Sequence, residues 1–128
     1  MKSDPRLEQF AGRNYLSLET FKKSGEGVKT PVWFVQDGGV FYVYTEAESW
    51  KVKRIRNNPR VRIAVCTMRG TVTGPWVDMT ASFVEGDERR AADRLLNRKY
   101  VLKRIGNLFS RITGGKRAMI RIAATEAA

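Results

Sequence analysis

Residues 32–45, VWFVQDGGVFYVYT, carry two apolar, β-prone runs on either side of an Asp-Gly-Gly turn. Such a turn needs positive φ, which glycine adopts readily, and it favours antiparallel pairing of the flanking strands. The stretch therefore predicts a β-hairpin with strands at 32–35 and 40–45.

Further strands are predicted on both sides of the hairpin, where apolar residues recur at every second position. They cover 15–21, 61–67, 77–85 and 116–123. Leu16 and Leu18 share one face of the first of these, and Val61, Ile63 and Val65 share one face of the second. These residues are expected to face a common core.

Two helical stretches interrupt the strands. Ser49 is expected to cap a short helix that begins at Trp50 and ends near Asn57. Apolar residues at helical spacing predict a longer helical stretch from 87 to 113, with a break near Gly106.

The chain is expected to form one domain over 1–128, with an N-terminal arm or short helix at 1–13 and a tail at 124–128. The fold class is mainly β: six antiparallel strands, a short helix after strand three and helices before the last strand. Two small barrels fit this order, the five-stranded barrel that binds oligonucleotides and the split barrel.

Composition excludes several kinds of chemistry. The 128 residues include 24 Lys and Arg, 13 Asp and Glu and no histidine, and the net charge is +11. A Ser-His-Asp triad, a Cys-His dyad and a histidine zinc site are therefore excluded for this chain. The 42% hydrophobic content is typical of a folded, globular chain.

The excess charge is concentrated in two blocks. Residues 49–62 carry six basic side chains and no acid, and residues 89–121 carry eleven basic side chains against one acid. This clustering predicts an anionic partner: a nucleic acid, a phosphorylated cofactor or an acidic membrane surface.

One cysteine, Cys66, lies in an apolar run and is expected to be a small buried residue. The N-terminus has no signal-peptide pattern, and no stretch approaches the roughly 20 apolar residues of a membrane span. We expect a cytoplasmic protein that is not anchored in a membrane, and no metal site.

A phosphate cradle is predicted where strand 40–45 meets the short helix. Tyr44 and Thr45 end the strand, Ser49 offers a hydroxyl at the helix N-cap, and Lys51 lies in the first turn. Free backbone N–H groups and a cation at a helix start favour an anion. An ordinary N-cap with solvated lysines is the alternative.

Longer motifs extend this pattern: Thr30-Pro31-Val32-Trp33, then Ser49-x-Lys51, then Asn57-Asn58-Pro59-Arg60-Val61. Their order and spacing resemble the pyridoxamine 5′-phosphate oxidase-like split-barrel family. Tyr15–Thr20 of the first strand, written YLSLET, and Gly74-Pro75-Trp76-Val77 look like its deazaflavin (F420)-using branch. The resemblance covers roughly 14–86 and implies a homodimer with a cofactor in a cleft between the subunits.

The resemblance also implies roles for individual residues. Those expected along the cofactor ring are Thr30, Pro31, Val32 and Trp33. Those expected at the phosphate are Thr45, Ser49 and Lys51, with Lys53 as a neighbouring cation. Trp76 is expected to reach the cleft from the partner subunit. Tyr44 and a bound water are candidate proton donors, although a packed Tyr44 is the favoured interpretation.

Two departures disfavour a vitamin B6 oxidase. Thr30 and Trp50 stand where those enzymes have arginines, and the chain ends soon after the last strand, without their C-terminal substrate segment. F420 carries a phosphate and a poly-glutamate tail, so it is the first-choice cofactor, and FMN is the alternative.

The resulting prediction is an F420- or FMN-dependent oxidoreductase that transfers a hydride to or from a small organic substrate. No catalytic residue is assigned. One alternative is a barrel that binds flavin, deazaflavin or haem without turnover. The other, a nucleic-acid-binding barrel, is disfavoured because the aromatic-rich strands 32–35 and 40–45 carry almost no charge.

Overall fold

A computed structural model of the chain describes residues 5–100 and 116–125. Three helices and seven strands make up this part of the chain. The helices are α1 (Pro5–Glu8), α2 (Trp50–Asn57) and α3 (Gly86–Tyr100). The strands are β1 (Tyr15–Phe21), β2 (Gly27–Trp33), β3 (Val35–Asp37), β4 (Val40–Glu46), β5 (Arg60–Val65), β6 (Val77–Phe83) and β7 (Arg117–Ala124).

The strands form one antiparallel sheet in the order β2-β1-β5-β6-β7-β4-β3. Its two edges, β2 and β3, are joined by the single residue Phe34. In a flat sheet, six strand spacings would separate these edges by about 29 Å, whereas one residue spans at most about 3.6 Å. The sheet must therefore curl until its edges meet at Phe34. No ladder joins β2 to β3 within the described sheet, so the barrel is split at this seam.

The fold class is mainly β and an antiparallel split barrel, as predicted, with seven strands rather than six. The extra strand arises at Phe34, which divides the predicted strand 32–35. Val32 and Trp33 continue a longer strand that begins at Gly27 and pairs with β1. Val35 pairs with Tyr42 of β4 instead. Sequence periodicity does not show that the chain changes partners at a buried residue.

The predicted hairpin turn is confirmed. Asp37 pairs with Val40, and Gly38, with a φ of 62°, occupies the left-handed region between them. A side chain with a Cβ is strained in that region, so the glycine suits this position.

The barrel interior is filled by the faces that the alternation predicted. Leu16, Leu18, Val61 and Ile63 are fully buried, and Val65 is nearly so. A second apolar cluster lies between the outside of the sheet and α3; it includes Tyr42, Met119, Ala92, Leu96 and Tyr100. Cys66 is also buried, as expected.

Three terminal and helical predictions fall partly outside the described residues. The predicted helical stretch past Gly106 falls in 101–115, and parts of the predicted arm and tail fall in 1–4 and 126–128, all outside the described residues. Within the ranges that the structure describes, no helix has both the length and the apolar character needed to cross a membrane.

A cap, a buried face and a side-chain hydrogen bond fix the position of the short helix α2. Its cap is as predicted: Ser49 Oγ accepts a hydrogen bond from the Val52 N–H at 3.4 Å. Val52 and Ile55 are buried. On the flank, Arg54 Nε donates to Thr20 Oγ1 of β1 at 2.6 Å. The Arg54 contact holds α2 against β1.

Candidate cofactor-binding site

A pocket of about 450 Å³ opens at the seam of the barrel. The edge strand β2, the ends of β4 and β7 and the first turn of α2 surround it. Its lining residues are Tyr15, Pro31, Val32, Trp33, Tyr44, Thr45, Glu46, Ser49, Lys51 and Arg117. Curling of the sheet brings these elements together, because it places β2 beside β4 although four strands lie between them in the sheet order.

Seven of the ten predicted site residues line this one pocket. They are Pro31, Val32, Trp33, Tyr44, Thr45, Ser49 and Lys51. Two separate parts of the sequence, the end of β2 and the passage from β4 into α2, thus border the same pocket.

The other three predicted residues do not line the pocket. Thr30 lies across from Leu18 in β1, before the part of β2 that borders the pocket. Lys53 lies with Nζ 4.6 Å from the ring centre of Trp50, an indole that is 71% exposed.

Trp76 is held on the outer face of the sheet. Lys29 Nζ lies 5.3 Å from the centre of its ring, and Arg62 Cζ lies 5.0 Å away. In this chain Trp76 therefore packs against two cations, and its expected approach to the cleft of a partner subunit stays a prediction.

Three lining residues were not among those predicted: Tyr15, Glu46 and Arg117. Tyr15 lines the pocket because it pairs with Trp33, and Arg117 lines it because it pairs with Glu46. Arg117 belongs to the basic block 89–121, but no recognisable sequence motif surrounds it. Only the cross-strand register could have identified it.

Two cationic side chains, Lys51 and Arg117, line the pocket. Arg117 lies with Cζ 5.1 Å from the ring centre of Tyr44, and Arg89 donates to the Arg117 carbonyl at 2.7 Å. Burial lowers the pKa of Lys51, the charge of Arg54 lowers it further, and Glu46 acts in the opposite direction. An anion in the pocket would offset the cost of burying the Lys51 charge.

Hydroxyl groups line the same side as Lys51. Thr45 Oγ1 and Ser49 Oγ lie 3.3 Å apart, and Ser49 Oγ also accepts from the start of α2. Two hydroxyls, a helix N-terminus and a lysine form a polar end of the pocket that suits a phosphate.

Tyr44 is a packed residue in this structure. Burial raises its pKa to about 12, and a hydrogen bond and charge interaction with Asp93 raise it in the same direction. The phenol therefore keeps its proton near neutral pH and is engaged with a carboxylate of α3. This agrees with the packed interpretation of Tyr44.

The opposite end of the pocket is aromatic. The rings of Tyr15 and Trp33 lie 6.2 Å apart at an angle of 56°. Pro31 and Val32 continue this wall along β2. Because β2 is an edge strand, half of its backbone groups point away from β1, and Pro31 is suited to such an edge because it has no N–H to pair. One end of the pocket is thus apolar and aromatic, and the other is cationic.

The barrel split at Phe34 and the pocket at its seam define this molecule as a split-barrel domain with a two-ended pocket. The model of the pyridoxamine 5′-phosphate oxidase family matches residues 3–128. The chain belongs to this family, and the resemblance found in the sequence is confirmed.

Solved structures share the fold at low sequence identity. The haem storage protein HutZ of Vibrio cholerae has a TM-score of 0.67 and 18% identity, with 99% of this chain and 93% of that one covered. An FAD-binding protein of Mesorhizobium loti has a TM-score of 0.63 and 14% identity, covering 94% and 85%. An F420 reductase has a TM-score of 0.58 and 19% identity, covering 93% of each chain. No curated protein sequence matches this chain.

Proposed function

We propose that this protein is an oxidoreductase that binds coenzyme F420, with FMN as the alternative cofactor. It transfers a hydride between that cofactor and a small organic substrate. The observation that carries the proposal is the pocket itself, which joins an apolar wall at Pro31–Trp33 to a cationic end at Lys51 and Arg117. A planar ring with an anionic tail has the matching pattern.

At the cationic end, Lys51 and Arg117 would bind the phosphate and tail carboxylates by charge-assisted hydrogen bonds. The hydroxyls of Thr45 and Ser49 would complete the phosphate site. Arg54 is less suited to this task, because its guanidinium is already bound to Thr20. Lys51 is therefore the first of these cations to test.

At the apolar end, Pro31, Val32 and Trp33 would lie along the ring and keep water from it. When bound, a flavin or deazaflavin supplies the hydride chemistry itself, which is why a chain without histidine can serve such a reaction. The chain's own contribution is to bind, to orient and to exclude water. Tyr44, held by Asp93, would shape the pocket rather than donate a proton.

Titration of the purified protein with F420 and with FMN tests the proposal. Binding should quench the coenzyme fluorescence at micromolar protein and should weaken as salt is raised, because part of the affinity is electrostatic. Lys51→Glu should abolish the quenching. The matched control is Lys23→Glu, which makes the same charge change at an exposed position in the β1–β2 turn.

The controls distinguish a specific site from general charge. If Lys51→Glu and Lys23→Glu weaken binding equally, the pocket is not the binding site. If neither coenzyme binds the unmodified protein, the proposed cofactor class is wrong.

A cofactor-binding role without turnover is the second candidate, and the similarity to a haem storage protein favours it. Haem iron takes His, Cys, Met or Tyr ligands. This chain has no histidine, so Tyr15 or Tyr44 would be the ligands available in the pocket. Steady-state reduction assays with quinone-like acceptors separate the two candidates, since a carrier binds its cofactor but shows no turnover.

We also propose a cytoplasmic homodimer in which Trp76 of one subunit approaches the pocket of the other. The pocket lies at the edge strand β2, where a second subunit would cover it. Light scattering of the eluted protein should give twice the 14.6 kDa chain mass. A monomer at the concentration used for cofactor titration would contradict this assembly.

A further inference from the structure

Phe34 lies at the seam where β2 turns into β3, and its peptide belongs to neither strand ladder. The residue is fully buried, and a buried peptide N–H and C=O need hydrogen-bond partners. The last two residues of α3 supply them. The Phe34 N–H donates to Tyr100 Oη at 3.1 Å, and its carbonyl accepts from the Tyr100 hydroxyl at 2.7 Å and from Lys99 Nζ at 2.8 Å.

The same two side chains also reach the segment before β1. Tyr100 Oη lies 3.0 Å from the Asn14 carbonyl, and Lys99 Nζ donates to the Arg13 carbonyl at 2.6 Å. Burial raises the pKa of Tyr100 above its usual range, so the hydroxyl keeps its proton. The end of α3 thus ties together both chain segments that meet at the seam.

The ring of Tyr100 makes a second connection, to the pocket wall. It stacks on Trp33 with centroids 5.1 Å apart and an angle of 20° between the planes. Trp33 lines the pocket and Tyr100 does not. Tyr100 is therefore placed to hold the indole without touching a ligand.

We infer that Tyr100 is a positioning residue that orients Trp33 and, by anchoring Phe34, sets the separation of β2 from β4 across the pocket. The inference rests on the proposed function only for the identity of the ligand. Sequence periodicity shows Tyr100 merely as one core position of a helix. Its hydroxyl contacts at the seam give it a role that a core residue of equal size would lack.

The first experiment needs no cofactor. In a Trp50→Phe, Trp76→Phe background, Trp33 is the only tryptophan, so its emission reports the surroundings of the pocket wall. Tyr100→Phe keeps the stacked ring but removes the hydroxyl. We expect the Trp33 emission to shift to longer wavelength and to become more accessible to acrylamide.

The second experiment measures the affinity for F420 in the full chain. Tyr100→Phe should raise Kd about tenfold, equivalent to about 1.4 kcal/mol. The control is Leu96→Val, which shortens a buried side chain of the same helix that is not part of the seam. It should lower the melting temperature while leaving Kd within about twofold.

The outcomes separate this inference from the proposed function. Unchanged Trp33 emission and unchanged Kd in Tyr100→Phe would overturn the inference, as would an equal rise of Kd in Leu96→Val. If wild-type protein binds no coenzyme, the proposed function fails, and the emission data alone decide the positioning role. Should Tyr100→Phe not fold, Lys99→Met decides, because it removes one donor to Phe34 and should shift the emission in the same direction.

Discussion

Arg62→Met is predicted to destabilise the fold strongly, because Arg62 holds a buried carboxylate. The Glu19 side chain is only 8% exposed, and Arg62 Nη1 donates to its Oε1 at 3.1 Å. These two residues lie directly across from each other in β1 and β5, on the outer face where Trp76 packs over Arg62. Methionine keeps the apolar stem of the side chain but removes the charge.

The loss of stability in Arg62→Met depends on the groups that still surround the Glu19 carboxylate. Removing one partner of a fully buried ion pair costs about 3–5 kcal/mol. Here about a third of Arg62 is exposed, and Lys29 lies across from Glu19 in β2, so water and a second cation offset part of the loss. We expect a decrease of about 2 kcal/mol in the free energy of unfolding, including a small loss from the contact with Trp76.

Equilibrium unfolding in urea measures this change. Lys22→Met is the control, because Lys22 and Glu26 form an exposed pair and such pairs contribute about 0–1 kcal/mol. Glu19→Gln in the Arg62→Met background should recover about 1 kcal/mol, since a neutral amide is easier to bury than an unpaired charge. Equal effects of Arg62→Met and Lys22→Met would refute the reasoning.

Three further predictions concern the start of β2, the cap of α2 and the seam at Phe34. Gly27→Ala should lower the melting temperature, at a cost of about 1–2 kcal/mol, because the added Cβ would overlap the buried carboxylate of Glu19. Ser49→Ala should cost about 1 kcal/mol in urea unfolding, because the Val52 N–H loses its acceptor; no loss would show that the cap is dispensable. Burial lowers the pKa of Lys99 from 10.5 to about 8. Between these values the unfolded chain binds more protons, so the stability of the wild type should rise with pH relative to Lys99→Met, and a fall would contradict this sign.

Much of the fold was predictable from local pattern. The hairpin at Gly38, the cap at Ser49 and the buried faces of β1 and β5 follow from residues within a few positions of one another, and all are confirmed. The strand count was not predictable in this way. Phe34 looks like one more apolar strand residue, and only its backbone contacts with Tyr100, 66 residues away, reveal a change of partner.

The residues of the candidate site also fall into two groups: those that nearby sequence identifies and those that only the fold identifies. Thr45, Ser49 and Lys51 are neighbours in sequence, and the family motif adds Pro31–Trp33, so these lining residues were identified before the fold was known. Arg117 was not, because it reaches the pocket through its pairing with Glu46, about 70 residues earlier in the chain.

The sequence by itself determined the charge of +11, the absence of histidine chemistry, the split-barrel class and one polar end of the pocket. The tertiary structure decided that Arg117 lines the pocket, where Trp76 lies and what holds Trp33 in place. The physical reason is that turns, caps and alternation depend on nearby residues, whereas a curled sheet brings distant strands together. The pocket therefore forms because the sheet closes at Phe34, and no local sequence pattern predicts that closure.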